Sequence, residues 1–187
     1  RSKTARAPKP AVEETGLPRL QGQPGIRDDR DQLSQDSRII LIVEDDPAFS
    51  RILLDLAREL KFKCVVVSTA DDGVLAARQY LPHAVILDMG LPDHPGMSIL
   101  GRLKRSTRTR HIPIHVVSVA DYTQTAMAYG AVGYMLKPVK RGELVQALES
   151  VENRLSHGMR RVLIVEDDPA QLKGLNQLLA LKDVETV

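Results

Sequence analysis

The stretch RIILIVEDDPA, residues 38–48, returns as RRVLIVEDDPA at residues 160–170. In both copies an unbroken apolar run passes straight into Glu-Asp-Asp-Pro. Consecutive apolar positions, in place of an alternation, mark a strand buried on both faces, as in a parallel sheet covered by helices. The acids then mark the strand's carboxyl end. Asp46 stands where an N-cap is needed and Pro47 at the first helical position, where proline's missing donor costs nothing.

Outward from this stretch, short apolar runs alternate with amphipathic ones. Strands are expected at residues 39–43, 63–67, 84–87, 112–117 and 133–136, and helices at 47–60, 70–80, 96–105, 123–129 and 141–155. Five such βα units make one doubly wound α/β domain over residues 38–155. Residues 1–37 carry Pro, Gly, Gln, Arg and Asp without an apolar period, and end in RDDRDQLSQDSR; they are expected to form a flexible linker.

The repeat supplies the second boundary. Aligning Val43 with Val165 gives a period equal to the length of the whole βα set, so the second copy opens another domain of the same kind. Residues 156–161 are then a linker, and residues 162–187 the truncated start of the second domain. A strand, a helix and the beginning of another strand cannot cover both faces of a sheet. Either the chain is cut from a longer protein or this part leans on another surface.

Composition narrows the class. With no Trp and few other aromatics, the core must be built from Val, Leu, Ile and Ala. A net charge of +2, with acids and bases interspersed, gives no electrostatic support for nucleic acid as a partner. The one cysteine, Cys64, lies in the apolar run FKCVVV and reads as a buried thiol in a reducing compartment. No apolar run approaches the roughly 20 residues that span a bilayer. The expectation is a cytoplasmic segment without membrane contact.

In open parallel sheets, ligands collect outside the carboxyl ends of the strands. Those ends carry Glu44, Asp45 and Asp46 after strand one, Asp88 at strand three, Ser118 at strand four and Lys137 at strand five. Clustered carboxylates raise one another's pKa unless a cation sits among them, and a hard divalent ion such as Mg2+ takes oxygen ligands of this kind. Beside such an ion an aspartate can attack phosphorus. Lys137 adds a positive charge for phosphoryl oxygens, and Ser118 a hydroxyl donor. Asp46 is assigned mainly to capping.

Four ordered motifs, IILIVEDDP, VILDMGLPDHPG, HVVSVAD and GYMLKPV, resemble the receiver domain of two-component response regulators, and residues 160–187 resemble the start of another. The resemblance implies a five-stranded flavodoxin-like sheet of order 2-1-3-4-5. It makes Asp88 the phosphorylated aspartate, Asp45 a direct Mg2+ ligand, Glu44 an acid acting through water, and Gly90 the residue whose backbone carbonyl completes the metal site. Ser118 and Tyr134 match the hydroxyl and aromatic switch pair, and Lys137 the lysine of the set. In the second copy, Glu166 and Asp167 are the corresponding metal candidates. Val119 departs from the family's small residue after Ser118 and would narrow access to the site. The short span from Ser118 to Lys137 implies a stunted fourth helix.

The resemblance implies a phosphoacceptor and not an enzyme: a partner's phosphohistidine, on a kinase or phosphotransfer domain, donates to Asp88, and the domain switches conformation. A homodimer through the output face is a further expected contact. Tandem receivers look like part of a hybrid sensor histidine kinase. Two alternatives stand beside this: a degenerate receiver serving as a docking scaffold, and a Mg2+-dependent aspartyl phosphohydrolase. The second requires an acid two residues after the nucleophile, where this chain has Gly90. The histidines at 83, 94, 111, 115 and 157 are expected in loops or at strand edges.

Overall fold

The computed structural model of the chain describes residues 20, 22–156, 160–162, 164–180 and 184–186. Strands β1 (Ile39–Val43), β2 (Lys63–Val67), β3 (Ala84–Asp88), β4 (Ile114–Ser118) and β5 (Gly133–Leu136) form one parallel sheet in the order β2-β1-β3-β4-β5. Helices α1 (Pro47–Glu59), α2 (Ala70–Tyr80), α3 (Gly96–Arg105), α4 (Thr123–Ala128) and α5 (Arg141–Ser156) connect and follow them. The expected flavodoxin-like topology is the one observed.

The apolar runs are continuous because alternate residues serve opposite cores. Ile39, Leu41 and Val43 pack with Val65, Val67, Val85 and Leu87 against α2, α3 and Ala126 of α4. Ile40 and Ile42 pack with Cys64, Val66 and Ile86 against Leu53, Leu54, Leu56 and Ala57 of α1 and Leu144, Leu148 and Val151 of α5. Each fully buried Val, Leu or Ile contributes about 1.5–3 kcal/mol from leaving water. Burial pushes the Cys64 thiol up to about 12, so it is an inert part of this core.

Local signals set the helix ends. Asp46 caps α1, its Oδ1 accepting from Ala48 N at 2.8 Å. Thr69 caps α2 by accepting from Asp72 N at 3.2 Å and donating to the Asp72 carboxylate at 2.8 Å. Helix α4 has six residues, as short as the sequence implied.

Several expectations are corrected. Strand β4 begins at Ile114, not at residue 112, because Pro113 has no N–H to offer a ladder; it ends at Ser118, whose carbonyl accepts from Lys137 N at 2.7 Å. His115 is not at a strand edge: it lies buried in the interior strand β4, in room left by Gly133, where a Cβ would stand 2.5 Å from its Nδ1. The third correction concerns the proposed linker. Within residues 22–37, Asp28–Arg30 are bonded along the open edge of β2. Asp28 and Asp29 carboxylates accept from Val66 N at 2.8 Å and Cys64 N at 2.9 Å, Asp29 N donates to Cys64 O at 2.8 Å, and Arg30 donates to Val66 O at 2.9 Å. The outward-facing polar groups of Cys64 and Val66 are thus paired, and the edge is closed to another strand. The expectation for residues 1–19 and 21 lies outside the described residues.

Further along, β6 (Arg160–Val162) pairs in parallel with β7 (Val184–Thr186), and α6 (Pro169–Ala180) lies between them in sequence. Residues 157–159 of the expected second linker lie outside the described residues, and the strand expected from residue 162 starts at Arg160.

Candidate functional site

The carboxyl end of the sheet gathers the charged groups. Glu44 extends the β1 ladder, its N–H donating to Val67 O at 3.0 Å, which drives its side chain into the domain at 1% exposure. Asp88 ends β3 and is 5% exposed. One carboxylate oxygen from each of Glu44, Asp45 and Asp88 lies within 4.8 Å of the others. Asp45 alone of the three is exposed.

Lys137, just past β5, joins two of the acids. Its Nζ stands 2.8 and 3.0 Å from the Glu44 oxygens and 3.1 Å from Asp88 Oδ1. The Phe49 ring, in the first turn of α1, lies under the same ammonium with its centroid 4.8 Å away. The peptide between Lys137 and Pro138 is cis. Burial works against the lysine's charge, yet the hydrogen bonds and charges of Glu44, and then of Asp88, outweigh it and hold the ammonium above its ordinary value. Burial also pushes the Glu44 carboxyl up; the Lys137 hydrogen bond opposes this and the charge of Asp88 adds to it. Three carboxylates facing one ammonium leave a negative surplus. Their oxygens suit a hard divalent cation, for which Mg2+ is the usual occupant of such sets.

The loop after β3 is built around Asp88. Gly90 N donates to Asp88 Oδ2 at 2.9 Å, and a Cβ on Gly90 would stand 3.3 Å from that oxygen. Gly96 closes the loop: its N–H donates to Met89 O at 3.1 Å, and an added Cβ would lie 2.5 Å from the Asp88 carbonyl. Only glycine lets α3 start this close to the strand.

Ser118 ends β4 one residue beyond Val117, the register partner of Asp88, and is 2% exposed. Its Oγ accepts from Ala120 N at 3.2 Å. The half-buried Tyr134 donates its hydroxyl to Ala120 O and accepts from Tyr122 N at 3.0 Å. Val119, expected to narrow the pocket, is 80% exposed.

Asp45, Glu44, Asp88 and Lys137 are therefore brought together as the sequence placed them, with Gly90 beside Asp88 and the Ser118–Tyr134 pair on the adjoining strands β4 and β5. Sequence reasoning missed Phe49 and Gln23. Phe49 carried a readable signal, an aromatic in the first turn after the acidic triplet. Gln23, whose Nε2 donates to Asp45 O at 2.9 Å, carried none. A second group of metal-capable side chains, Asp71, Asp93 and His94, is exposed, and its carboxylates are engaged with Arg102 and with the N–H groups of Ala70 and Asp71.

Ahead of α6, Glu166 and Asp168 reproduce the first copy's local bonds. Asp168 N donates to Glu166 Oε1 at 3.0 Å, as Asp46 N does to Glu44 Oε1 at 3.2 Å, and Ala170 N donates to Asp168 Oδ1 at 2.8 Å.

Residues 40–149 match the family model of the response regulator receiver domain. The transcriptional regulatory protein KdpE of Staphylococcus aureus is 36% identical over 119 residues, covering 60% of this chain and 49% of KdpE. The probable C4-dicarboxylate response regulator DctR of Priestia megaterium is 27% identical over 113 residues, covering 59% of this chain and 50% of DctR. The chain spans about half the length of these curated relatives. Among solved structures, a sensor protein from Polaromonas sp. JS666 has a TM-score of 0.57 at 28% identity, over 62% of this chain and 96% of that one. The receiver domain of sensor histidine kinase PA1611 from Pseudomonas aeruginosa PAO1, solved with a magnesium ion coordinated in its active site cleft, shares the fold with a TM-score of 0.57 at 24% identity, over 63% of this chain and 98% of that one. With the acidic corner, Asp88 and Lys137 converging at one end of a sheet of this topology, the chain belongs to the response regulator receiver domain family.

Proposed function

We propose that Asp88 takes a phosphoryl group from a phosphohistidine on a partner kinase or phosphotransfer domain, in a two-component phosphorelay. The observation that carries this reading is the convergence of Lys137 Nζ on both Asp88, at 3.1 Å, and Glu44, at 2.8 Å, beside the exposed Asp45. Asp45, Asp88 and the Gly90 carbonyl would hold Mg2+, with Glu44 acting through water. When bound, the ion supplies charge neutralisation and orientation of the phosphoryl oxygens.

A carboxylate oxygen of Asp88 forms the new bond to phosphorus while the bond from phosphorus to the imidazole nitrogen breaks, and the imidazole leaves with that electron pair. Lys137 stays within reach of the transferred oxygens and balances their charge. Ser118 donates its hydroxyl to the same oxygens, which changes its contact with Ala120 and, through Ala120, with Tyr134. The result is a change in the surface formed by α4, β5 and α5, where Met127, Tyr129 and Leu136 are exposed. That surface is also the place for a homodimer contact.

Gly90 leaves no side chain to act as an acid or base beside Asp88, so the domain is a phosphoacceptor and not a phosphohydrolase for external substrates. The bonds shared by Glu44–Ala48 and Glu166–Ala170 support a second receiver beginning near Arg160, with Glu166 and Asp167 as its metal candidates. Tandem receivers fit a hybrid sensor histidine kinase in the cytoplasm, and the PA1611 domain is a receiver from a sensor kinase. Among the described residues, no helix is long and apolar enough to cross a membrane.

The test is incubation with acetyl phosphate and Mg2+, followed by intact-mass measurement. Wild type is expected to gain one phosphoryl mass and Asp88→Asn none. Equal gain in both removes Asp88 from its role; no gain in either favours the docking scaffold.

A further inference from the structure

The segment along the β2 edge does more than cover it. It straddles the sheet, with Ile26 against the α1/α5 core and Leu20 and Leu33 against the opposite core. Arg58 of α1 ties it down by donating to Asp29 Oδ1 and Arg27 O, each at 3.0 Å, and Arg51 by donating to Gly25 O at 3.1 Å. From this fixed base Gln23 reaches the acidic corner. It is 5% exposed, and its Nε2 donates to the carbonyl of Asp45 at 2.9 Å.

The other end of the same amide works against a polar residue here. Gln23 Oε1 is buried and has no hydrogen-bond partner among the described residues. An unsatisfied buried acceptor is costly, and an apolar side chain of the same length would fill the space without that cost. What glutamine adds is the donor on Asp45. The peptide it grips belongs to a residue whose carboxylate shares the corner with Asp88, whereas Asp46 and Glu44 on either side are already engaged, in the cap of α1 and with Lys137. Asp45 is the exposed member of the set, and its side chain accordingly depends on its backbone for direction.

We propose that Gln23 is a positioning residue for the metal site: by holding the Asp45 carbonyl it fixes the loop from which the Asp45 carboxylate meets Mg2+, and so sets the affinity of the receiver for the ion. The proposal rests on the reading of Asp45 and Asp88 as metal ligands. It makes the segment before residue 38 a working part of the site, so a displacement of that segment is transmitted to the metal loop through one hydrogen bond.

The test uses the whole chain, with Mg2+ titrated against backbone amide chemical shifts, in wild type, Gln23→Met, Gln23→Ala and Arg51→Ala. Both Gln23 variants lack the donor, one keeping the volume and one not, so either serves if the other does not fold. Loss of one hydrogen bond at the loop is expected to raise the Mg2+ dissociation constant about three- to tenfold. Phosphorylation by acetyl phosphate is expected to slow at low Mg2+ and to recover at saturating Mg2+, a split that general loosening of the fold does not produce. Arg51→Ala, which frees Gly25 but keeps the Gln23 donor, is expected to raise the constant less than either Gln23 variant. Wild-type affinity in folded Gln23 variants overturns the proposal while leaving the metal site standing, as does an equal weakening in Arg51→Ala. Absence of Mg2+ binding by wild type overturns the metal reading itself, and this proposal with it.

Discussion

Ser118 and Tyr134 hold the two ends of one residue: the N–H of Ala120 donates to Ser118 Oγ at 3.2 Å, and its carbonyl accepts from the Tyr134 hydroxyl. The proposed switch pair is thus coupled through a single peptide neighbour, and Tyr134 also accepts from Tyr122 N at 3.0 Å. On the proposed reading, a phosphoryl group that claimed the Ser118 hydroxyl would act on the loop that Tyr134 is latched to.

Tyr134→Phe removes both of these bonds and keeps the ring in place. The expected loss is about 0.5–1.5 kcal/mol in urea unfolding, with faster hydrogen exchange at the amides of Ala120 and Tyr122. Phosphorylation of Asp88 is expected to persist, because the hydroxyl does not touch the acceptor. Unchanged exchange at those amides would show that the latch does not hold the loop.

Lys137→Met leaves Glu44 and Asp88 buried without their cation. The lysine side chain is 22% exposed, so solvent softens the effect, and the expected loss without divalent ions is about 1–3 kcal/mol. Added Mg2+ should recover part of it, since the ion supplies positive charge to the same oxygens. Urea unfolding with and without Mg2+ measures both effects. A variant as stable as wild type in the absence of Mg2+ would mean that the acids do not repel as their spacing requires.

Gly96→Ala is expected to cost about 1–3 kcal/mol through overpacking. The added Cβ would meet the Asp88 carbonyl at 2.5 Å and Met89 Cα at 2.7 Å, both backbone atoms with no rotamer to yield. Because the strain falls at the end of β3, acetyl phosphate labelling of Asp88 should slow together with the stability loss. By contrast, Gly142→Ala, in α5 where nothing lies within 4 Å of the added Cβ, should leave labelling unchanged and should not lower stability.

The sheet was legible because burial on both faces removes polar positions from the strands: Ile39–Val43 has no residue that faces water. The acidic corner was legible because each of its carboxylates sits at or just past the end of a strand, and strand ends are marked by the change from apolar to charged residues. The start of β4 was misplaced because Ile112 is as buried as the strand itself, at 2% exposure, while lying before Pro113. The segment ahead of β1 was misread for a different reason. Its anchors are Asp28, Asp29 and Arg30, which bond the backbone edge of β2, and charges spent on backbone groups look in sequence like charges spent on water. Its apolar contacts, Leu20, Ile26 and Leu33, are too sparse to show a period. No spacing rule links Gln23 to Asp45 or Phe49 to Lys137; those pairs exist only once the fold has formed.

Asp29 gives that misread segment a pH signature. Burial works to raise its pKa, but the Arg58 hydrogen bond, the Cys64 N–H and the charges of Arg58 and Lys63 together outweigh burial and hold the carboxyl below its ordinary value. A folded pKa below the unfolded one means that the ionised carboxylate stabilises the fold fully above the unfolded value, about 3.9, and loses this contribution as pH falls through the folded value. Asp29→Asn can still accept from Cys64 N but gives up the charge facing Arg58. The stability gap between wild type and Asp29→Asn is therefore expected to be constant from about pH 7 to pH 5 and to close at more acid pH. Urea unfolding across that range measures it. A gap that stays flat into acid, or widens, would show that Arg58 and Asp29 do not bind the segment to α1 through their charges.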